Sequence, residues 1–136
     1  MIELIKHENM ILAIIIRKDF SKEGIEFFTP KEFSQQLAYM KRQKGYSITP
    51  HVHNAVPRTV EYTQEVLFIK SGKVRVDFYL DPDTFFKSCE LSTGDVILLA
   101  RGGHGFIMLE ESEIVEVKQG PYAEEQDKTR FEGLRK

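Results

Sequence analysis

The stretch GYSITPHVHNAVPRTVEYTQEVLFIKSG, residues 45–72, holds two of the four histidines of the chain and decides which fold we predict. His51 and His53 are separated by one residue, and Glu65 stands seven residues before Gly72. In a β-strand, side chains two residues apart share one face and lie about 7 Å apart along the strand. Two imidazoles that face the same space are a natural beginning of a metal site.

Length and composition place the chain in a broad class. Its 136 residues suffice for one domain whose core needs no disulfides. The formal net charge of −2 predicts no strong attraction to nucleic acid or to an anionic membrane. Cys89 is the single cysteine, so no internal disulfide can form, and a reducing, cytoplasmic location is expected. The longest apolar run, ILAIII at 11–16, is too short to span a bilayer.

Short segments with strand-like patterns follow one another along most of the chain. The clearest is 74–80, where apolar and polar residues alternate, and Ser71-Gly72 before it is a plausible two-residue hairpin turn. The predicted strands are 10–16, 25–29, 35–43, 46–53, 60–70, 74–80, 85–91, 96–100, 106–110 and 113–118. Because no long amphipathic helix is available to cover an open sheet, we predict an all-β fold, a small closed or nearly closed barrel.

The predicted organisation is a single domain over residues 1–136. N-terminal strands occupy 10–29, the barrel core occupies about 35–118, and a polar tail occupies 119–136. The tail could close over the mouth of the barrel, pack on a partner subunit or remain frayed. The strand at 10–16 is apolar enough to be buried on both faces or to lie at a subunit contact, and a homodimer is expected on that ground.

Spacing around the histidine pair follows a known motif. Gly45 precedes His51 by five intervening residues, and six residues separate Glu65 from Gly72. Both halves match the first motif of the cupin superfamily, which the sequence resembles. The gap between the halves differs, because eleven residues separate His53 from Glu65 where three or four are usual in that family.

A second, weaker motif lies nearer the C-terminus. Gly94 and Gly102 match the second cupin motif, and the glycine-rich bend delivers His104. Ala100 stands where proline is usual, His104 comes one residue early, and Met108 replaces an asparagine. The order and separation of the two motifs strengthen the resemblance, which covers about residues 35–118.

The resemblance implies a double-stranded β-helix, or jelly-roll barrel, with a divalent metal held near its mouth by His51, His53, Glu65 and His104. Glu61 competes with Glu65 as the carboxylate ligand, and the spacing to the following glycine favours Glu65. Three imidazoles and one carboxylate suit Fe, Mn, Ni, Co, Cu or Zn rather than Ca or Mg.

The resemblance leaves the reaction open. The leading hypothesis is a metal-dependent enzyme acting on a carbohydrate-like or carboxylate small molecule, as an isomerase, an epimerase or a dioxygenase. The alternatives are a non-catalytic ligand-binding or sensing protein, and a metal-free sugar-nucleotide epimerase or ketoisomerase in which a pocket histidine is the base. The candidate substrate-binding residues are Arg58, Tyr62, Tyr79 and Arg101.

Overall fold

The computed structural model describes residues 1–133 and confirms the all-β prediction. Within those residues the regular structure is ten strands and a short 3₁₀ turn at Glu124–Asp127. The strands are β1 (Ile2–His7), β2 (Met10–Ile16), β3 (Gly24–Phe27), β4 (Ala38–Lys41), β5 (Glu65–Ser71), β6 (Lys73–Asp81), β7 (Thr84–Ser92), β8 (Val96–Leu99), β9 (Gly103–Met108) and β10 (Glu113–Lys118).

Antiparallel pairing arranges these strands in three sheets. The largest sheet has five strands in the order β1-β2-β8-β5-β10, and a second sheet has three in the order β7-β6-β9. Within residues 1–133, β3 and β4 pair only with each other. Neither of the two larger sheets closes on itself within the described residues, so the predicted closed barrel is replaced by two sheets that share a core.

The main core joins the inner faces of the two larger sheets. Val74, Val76 and Phe78 alternate along β6 and are buried in this core, which confirms the alternation predicted for 74–80. Leu67 and Ile69 of β5 enter the same core from the larger sheet. Side chains at every second position of a strand face one side of a sheet, so the interior face of each strand follows from these residues.

A second core covers the outer face of the larger sheet. Ile14 of β2 and Leu98 of β8 are fully buried there against Leu37. Phe20, Phe28 and Phe33, from the segment around β3, complete the cover. β2 is therefore buried on both faces inside the chain, as one interpretation of its sequence predicted, and its apolar character needs no subunit contact.

The strand predicted at 46–53 is wrong. Residues 42–64 contain no helix or strand, and nearly all of their side chains are exposed. β4 ends at Lys41 rather than at residue 43, and β5 begins at Glu65 rather than at residue 60. Pro50 and Pro57 lack the backbone N–H that a sheet ladder needs. The apolar side chains of this segment also have no core to pack against.

The hairpin predicted at Ser71-Gly72 is also wrong, because β5 and β6 belong to different sheets. Gly72 carries the chain from one sheet to the other with a φ of 99°, and a Cβ at this position would lie 2.5 Å from the backbone oxygen of Glu111. Only glycine tolerates both conditions. The local sequence of a tight turn did not reveal that the strands beside it have other partners.

A buried ion pair fixes the end of the larger sheet that lies away from Glu65. Asp95 is 2% exposed, and its carboxylate accepts hydrogen bonds from the backbone N–H groups of Lys18 and Ser92 at 2.8 Å. Arg17 donates to the same carboxylate at 3.0 Å and to Glu3 of β1 at 3.1 Å. The sequence did not predict β1, and this network joins it to the turn between β7 and β8.

We expect Asp95→Asn to lower the free energy of unfolding by about 3 kcal/mol, because it removes one charge of a buried ion pair. Asp19→Asn is the matched control, since Asp19 is an exposed residue that meets only the chain's N-terminal ammonium among the described salt bridges. It should change stability by less than about 0.5 kcal/mol. Urea denaturation of both variants measures the difference, and equal effects would contradict a structural role for Asp95.

Candidate functional site

A cavity of about 920 Å³ opens where β5, β9 and β10 meet the C-terminal tail. The volume lies within the range of small-molecule sites. Its wall combines charged and aromatic side chains from distant parts of the chain: Glu61, Tyr62, Thr63, Glu65, Tyr79, Arg101, His104, Phe106, Lys118, Asp127, Lys128 and Phe131.

Glu65 and His104 meet in this cavity. Glu65 is the first residue of β5 and shares the interior face of Leu67, while His104 stands opposite the buried Phe78 in the pairing of β9 with β6. The two sheets thus direct both side chains into one space, and His104 Nε2 lies 3.0 Å from Glu65 Oε1. A carboxylate can only accept, so the imidazole carries its proton on Nε2 when it donates to Glu65.

The charge of Glu65 is set by its neighbours. The hydrogen bond from His104 lowers the pKa of this carboxyl group to about 2, although burial acts in the opposite direction. Lys118 contributes a smaller Coulombic effect from Nζ, which lies 3.7 Å from Glu65 Oε2. A hydrogen bond with Glu65 raises the pKa of Glu116 in turn. Glu65 is therefore ionised at neutral pH although its side chain is largely buried.

The sequence-predicted residues separate into two groups. Three substrate-binding candidates, Tyr62, Tyr79 and Arg101, line the cavity together with Glu65 and His104. Both carboxylates considered as ligands, Glu61 and Glu65, border the cavity, and only Glu65 contacts the histidine.

Arg58, His51 and His53 lie in the exposed segment 42–64 and do not line the cavity. The two imidazole rings of that segment lie with centroids 5.3 Å apart, and His51 Nδ1 is 2.8 Å from the backbone oxygen of Thr49. The histidine pair is close enough to act together, but it is not joined to the Glu65–His104 pair.

Four metal ligands do not converge in this arrangement. Within residues 1–133, no group of three or more histidine, cysteine, aspartate or glutamate side chains is placed to hold a metal ion. The cavity supplies two of the expected ligands, and Lys118 occupies the far oxygen of Glu65. The described geometry therefore does not fit the four-ligand site, and the divalent metal stays a prediction.

Sequence reasoning did not assign Lys118 or Glu116 to the site, and it named closure over the barrel mouth as only one of three alternatives for the tail. The alternation in EIVEVK put Glu116 and Lys118 on one face of a strand, but nothing local showed that this face borders a cavity. The tail, whose position the sequence left open, lies against the cavity wall. The Phe131 ring packs edge-on at 5.1 Å from Tyr79, and Asp127 accepts a hydrogen bond from Thr63.

We expect the carboxyl group of Glu65 to titrate near pH 2, measured by carbon NMR of labelled side chains. The folded-state pKa lies below the ordinary value of 4.5, so its contribution to stability is present above pH 4.5 and is lost as the pH falls towards 2. His104→Ala should raise this pKa most, because it removes the largest stabilising contact while burial remains. Lys118→Met should raise it less, and the reverse order would contradict the assigned causes.

Comparisons with the families of known proteins, with curated proteins and with solved structures found no match to this chain. No helix among the described residues is both long and apolar enough to cross a membrane.

Proposed function

We propose that the chain is a cupin-like enzyme that transfers a proton within a small, carbohydrate-like or carboxylate substrate, with His104 as the base. The observation that carries this proposal is the 3.0 Å contact between His104 and the ionised Glu65 inside a ligand-sized cavity. A histidine held by a carboxylate is the usual form of a general base that must accept and return a proton.

The strand order supports the jelly-roll part of the proposal. From β5 to β10 the chain crosses to the other sheet at every connection except the one between β6 and β7, giving the local orders β8-β5-β10 and β7-β6-β9. This is the order of the last six strands of an eight-stranded jelly roll. The first two strands of that fold would lie beside β10 and β9, which are each an edge strand of their sheet within the described residues. Residues 42–64 directly precede β5 and would supply them.

The proposed reaction needs only groups of this chain. His104 Nδ1 has no hydrogen-bond partner among the described residues and is the nitrogen available to a substrate. It takes a proton from the carbon beside a carbonyl group, which leaves an enediolate, and Glu65 stabilises the imidazolium that results. The hydroxyl proton on the neighbouring oxygen then passes to the former carbonyl oxygen, and the imidazolium, whose proton exchanges with solvent, delivers a proton to the former carbonyl carbon. Together these transfers complete an aldose–ketose isomerisation in which every atom and electron pair is accounted for.

Incubation with aldoses and ketoses in deuterated water should place one deuterium at the carbon that gains the proton, as measured by proton NMR and mass spectrometry. His104→Gln should slow this exchange by at least about a hundredfold, because it removes a general base. His7→Gln is the control, since His7 packs against Phe86 outside the cavity. Exchange that survives in His104→Gln would overturn the assigned base.

A metal-dependent function is the second candidate, and the proximity of His51 and His53 in segment 42–64 is the observation that favours it. If this segment added to the edge of β9, the histidine pair would approach Glu65 and His104 and complete the donor set that the cupin resemblance implies. The residues would then hold a divalent transition metal, which would supply a Lewis acid.

For this candidate, elemental analysis of untagged protein should find bound metal, and calorimetric titration with Mn or Zn should measure its affinity. Glu65→Gln should weaken binding by at least about 10–100-fold, whereas Glu61→Gln should change it little. Metal-free protein that retains exchange activity would exclude this candidate.

We further propose a homodimer formed through β1, the edge strand of the larger sheet. Leu4 of β1 is half exposed, and the outer backbone groups of an edge strand are free to pair with a second copy. Light scattering at micromolar concentration should give twice the chain mass, and Leu4→Lys should reduce it to the chain mass. A monomer in the unmodified protein would remove this proposal.

A further inference from the structure

Arg101 borders the cavity and has no ionic partner in the part of the chain that the structure describes. The other two guanidinium groups on the wall are engaged, Arg75 by Asp77 at 3.0 Å and Arg130 by Glu125. Within residues 1–133, no carboxylate lies at salt-bridge distance from Arg101. Its guanidinium carbon lies 4.7 Å from the centroid of the Tyr62 ring. Stacking on an aromatic face leaves the N–H edge of a guanidinium free to donate to a ligand.

The backbone that carries Arg101 is held in place. The N–H groups of Ala100 and Arg101 both donate to the backbone oxygen of Leu12, at 2.8 and 3.3 Å. At Gly102 the φ angle is 77°, and a Cβ there would lie 2.7 Å from the backbone oxygen of Tyr79. Gly102 thus passes close to Tyr79 and joins Arg101 to β9, which begins at Gly103 and carries His104. The backbone position of this cation is therefore fixed on the same wall as the proposed base.

The other charges of the cavity limit which anion this cation could bind. Glu61, Glu65, Asp77 and Asp127 also border the cavity, so a doubly charged phosphate would meet four carboxylates. Lys118 is already shared between Glu65 and Glu116, at 3.7 and 3.8 Å. One free guanidinium, whose planar fork matches a carboxylate with two parallel hydrogen bonds, suits a single negative charge.

We propose that the substrate is a sugar acid whose carboxylate binds Arg101 while its carbonyl end reaches His104. This inference rests on the proposed function and adds the substrate class. Tyr62, which is 60% exposed, lines the same cavity and offers an aromatic ring and a hydroxyl group to a hydroxylated carbon chain. The cavity volume of about 920 Å³ accommodates a six-carbon acid.

Calorimetric titration with matched pairs of sugars tests the inference. Glucuronate and galacturonate differ from glucose and galactose by a carboxylate in place of a hydroxymethyl group. We expect at least one uronate to bind at least about tenfold more tightly than its neutral counterpart, because it gains a charge-assisted hydrogen-bond pair. Arg101→Gln should remove this preference, and Arg101→Lys should retain part of it.

Arg42→Gln is the matched control, because Arg42 lies over the Tyr46 ring at 4.4 Å in the same manner but outside the cavity. It should leave uronate binding unchanged. Equal affinity for neutral sugars, undiminished binding by Arg101→Gln, or no uronate binding at millimolar concentration would each overturn the inference. Displacement of uronate by inorganic phosphate at lower concentration than by acetate would overturn the choice of a carboxylate.

The same titrations separate this inference from the proposed function. If uronates bind through Arg101 but no deuterium exchange occurs, the substrate class stands as a ligand class and the proposed reaction fails. If exchange occurs with neutral sugars and is unchanged in Arg101→Gln, the reaction stands and the sugar-acid inference fails.

Discussion

The contact of the three-stranded sheet with the inner face of the five-stranded sheet is the constraint on which the candidate site depends. Phe78 of β6 and Leu67 of β5 are buried in that contact, and the same strand faces continue to His104 and Glu65. Period-two alternation leaves no choice about where these polar residues point once the apolar ones are buried. The packing energy of the core thus offsets the cost of removing the Glu65 carboxylate from water.

Asp95 and Glu65 are two buried carboxylates with different surroundings. Asp95 receives backbone N–H groups and Arg17 in a closed network, which serves the fold. Glu65 is bound by His104 and Lys118 at the wall of a cavity, where a ligand has access to the same groups. The difference lies in what surrounds the pair, and this difference is the physical basis for regarding Glu65 rather than Asp95 as functional.

Residues 42–64 are needed both for the proposed jelly roll and for the metal-dependent candidate function. The segment carries the histidine pair and ends at the cavity wall with Glu61 and Tyr62, yet it forms no sheet pairing. The strand edges at β9 and β10 expose apolar side chains, among them Phe106 and Val117. Exposed apolar strand edges are usually covered in natural proteins. Pairing of this segment with those edges would complete the proposed jelly roll, and it is also the event that the metal-dependent candidate requires.

The sequence by itself determined the all-β class and the strands at 10–16, 74–80 and 113–118, because alternation and turn chemistry are local properties. Its resemblance to the cupin motifs made Glu65 and His104 candidates, and Tyr62 and Arg101 were candidates as polar aromatic and basic residues. Only the tertiary structure decided that Ser71-Gly72 joins two sheets, that β2 is buried inside the chain, and that Lys118 and the tail border the cavity. Those facts depend on which strands pair and which faces meet, and pairing between residues far apart in the chain leaves no local pattern. The spacing of His51 and His53 fits one face of a strand. A strand also needs a partner to pair with, and the spacing of two residues carries no information about that partner.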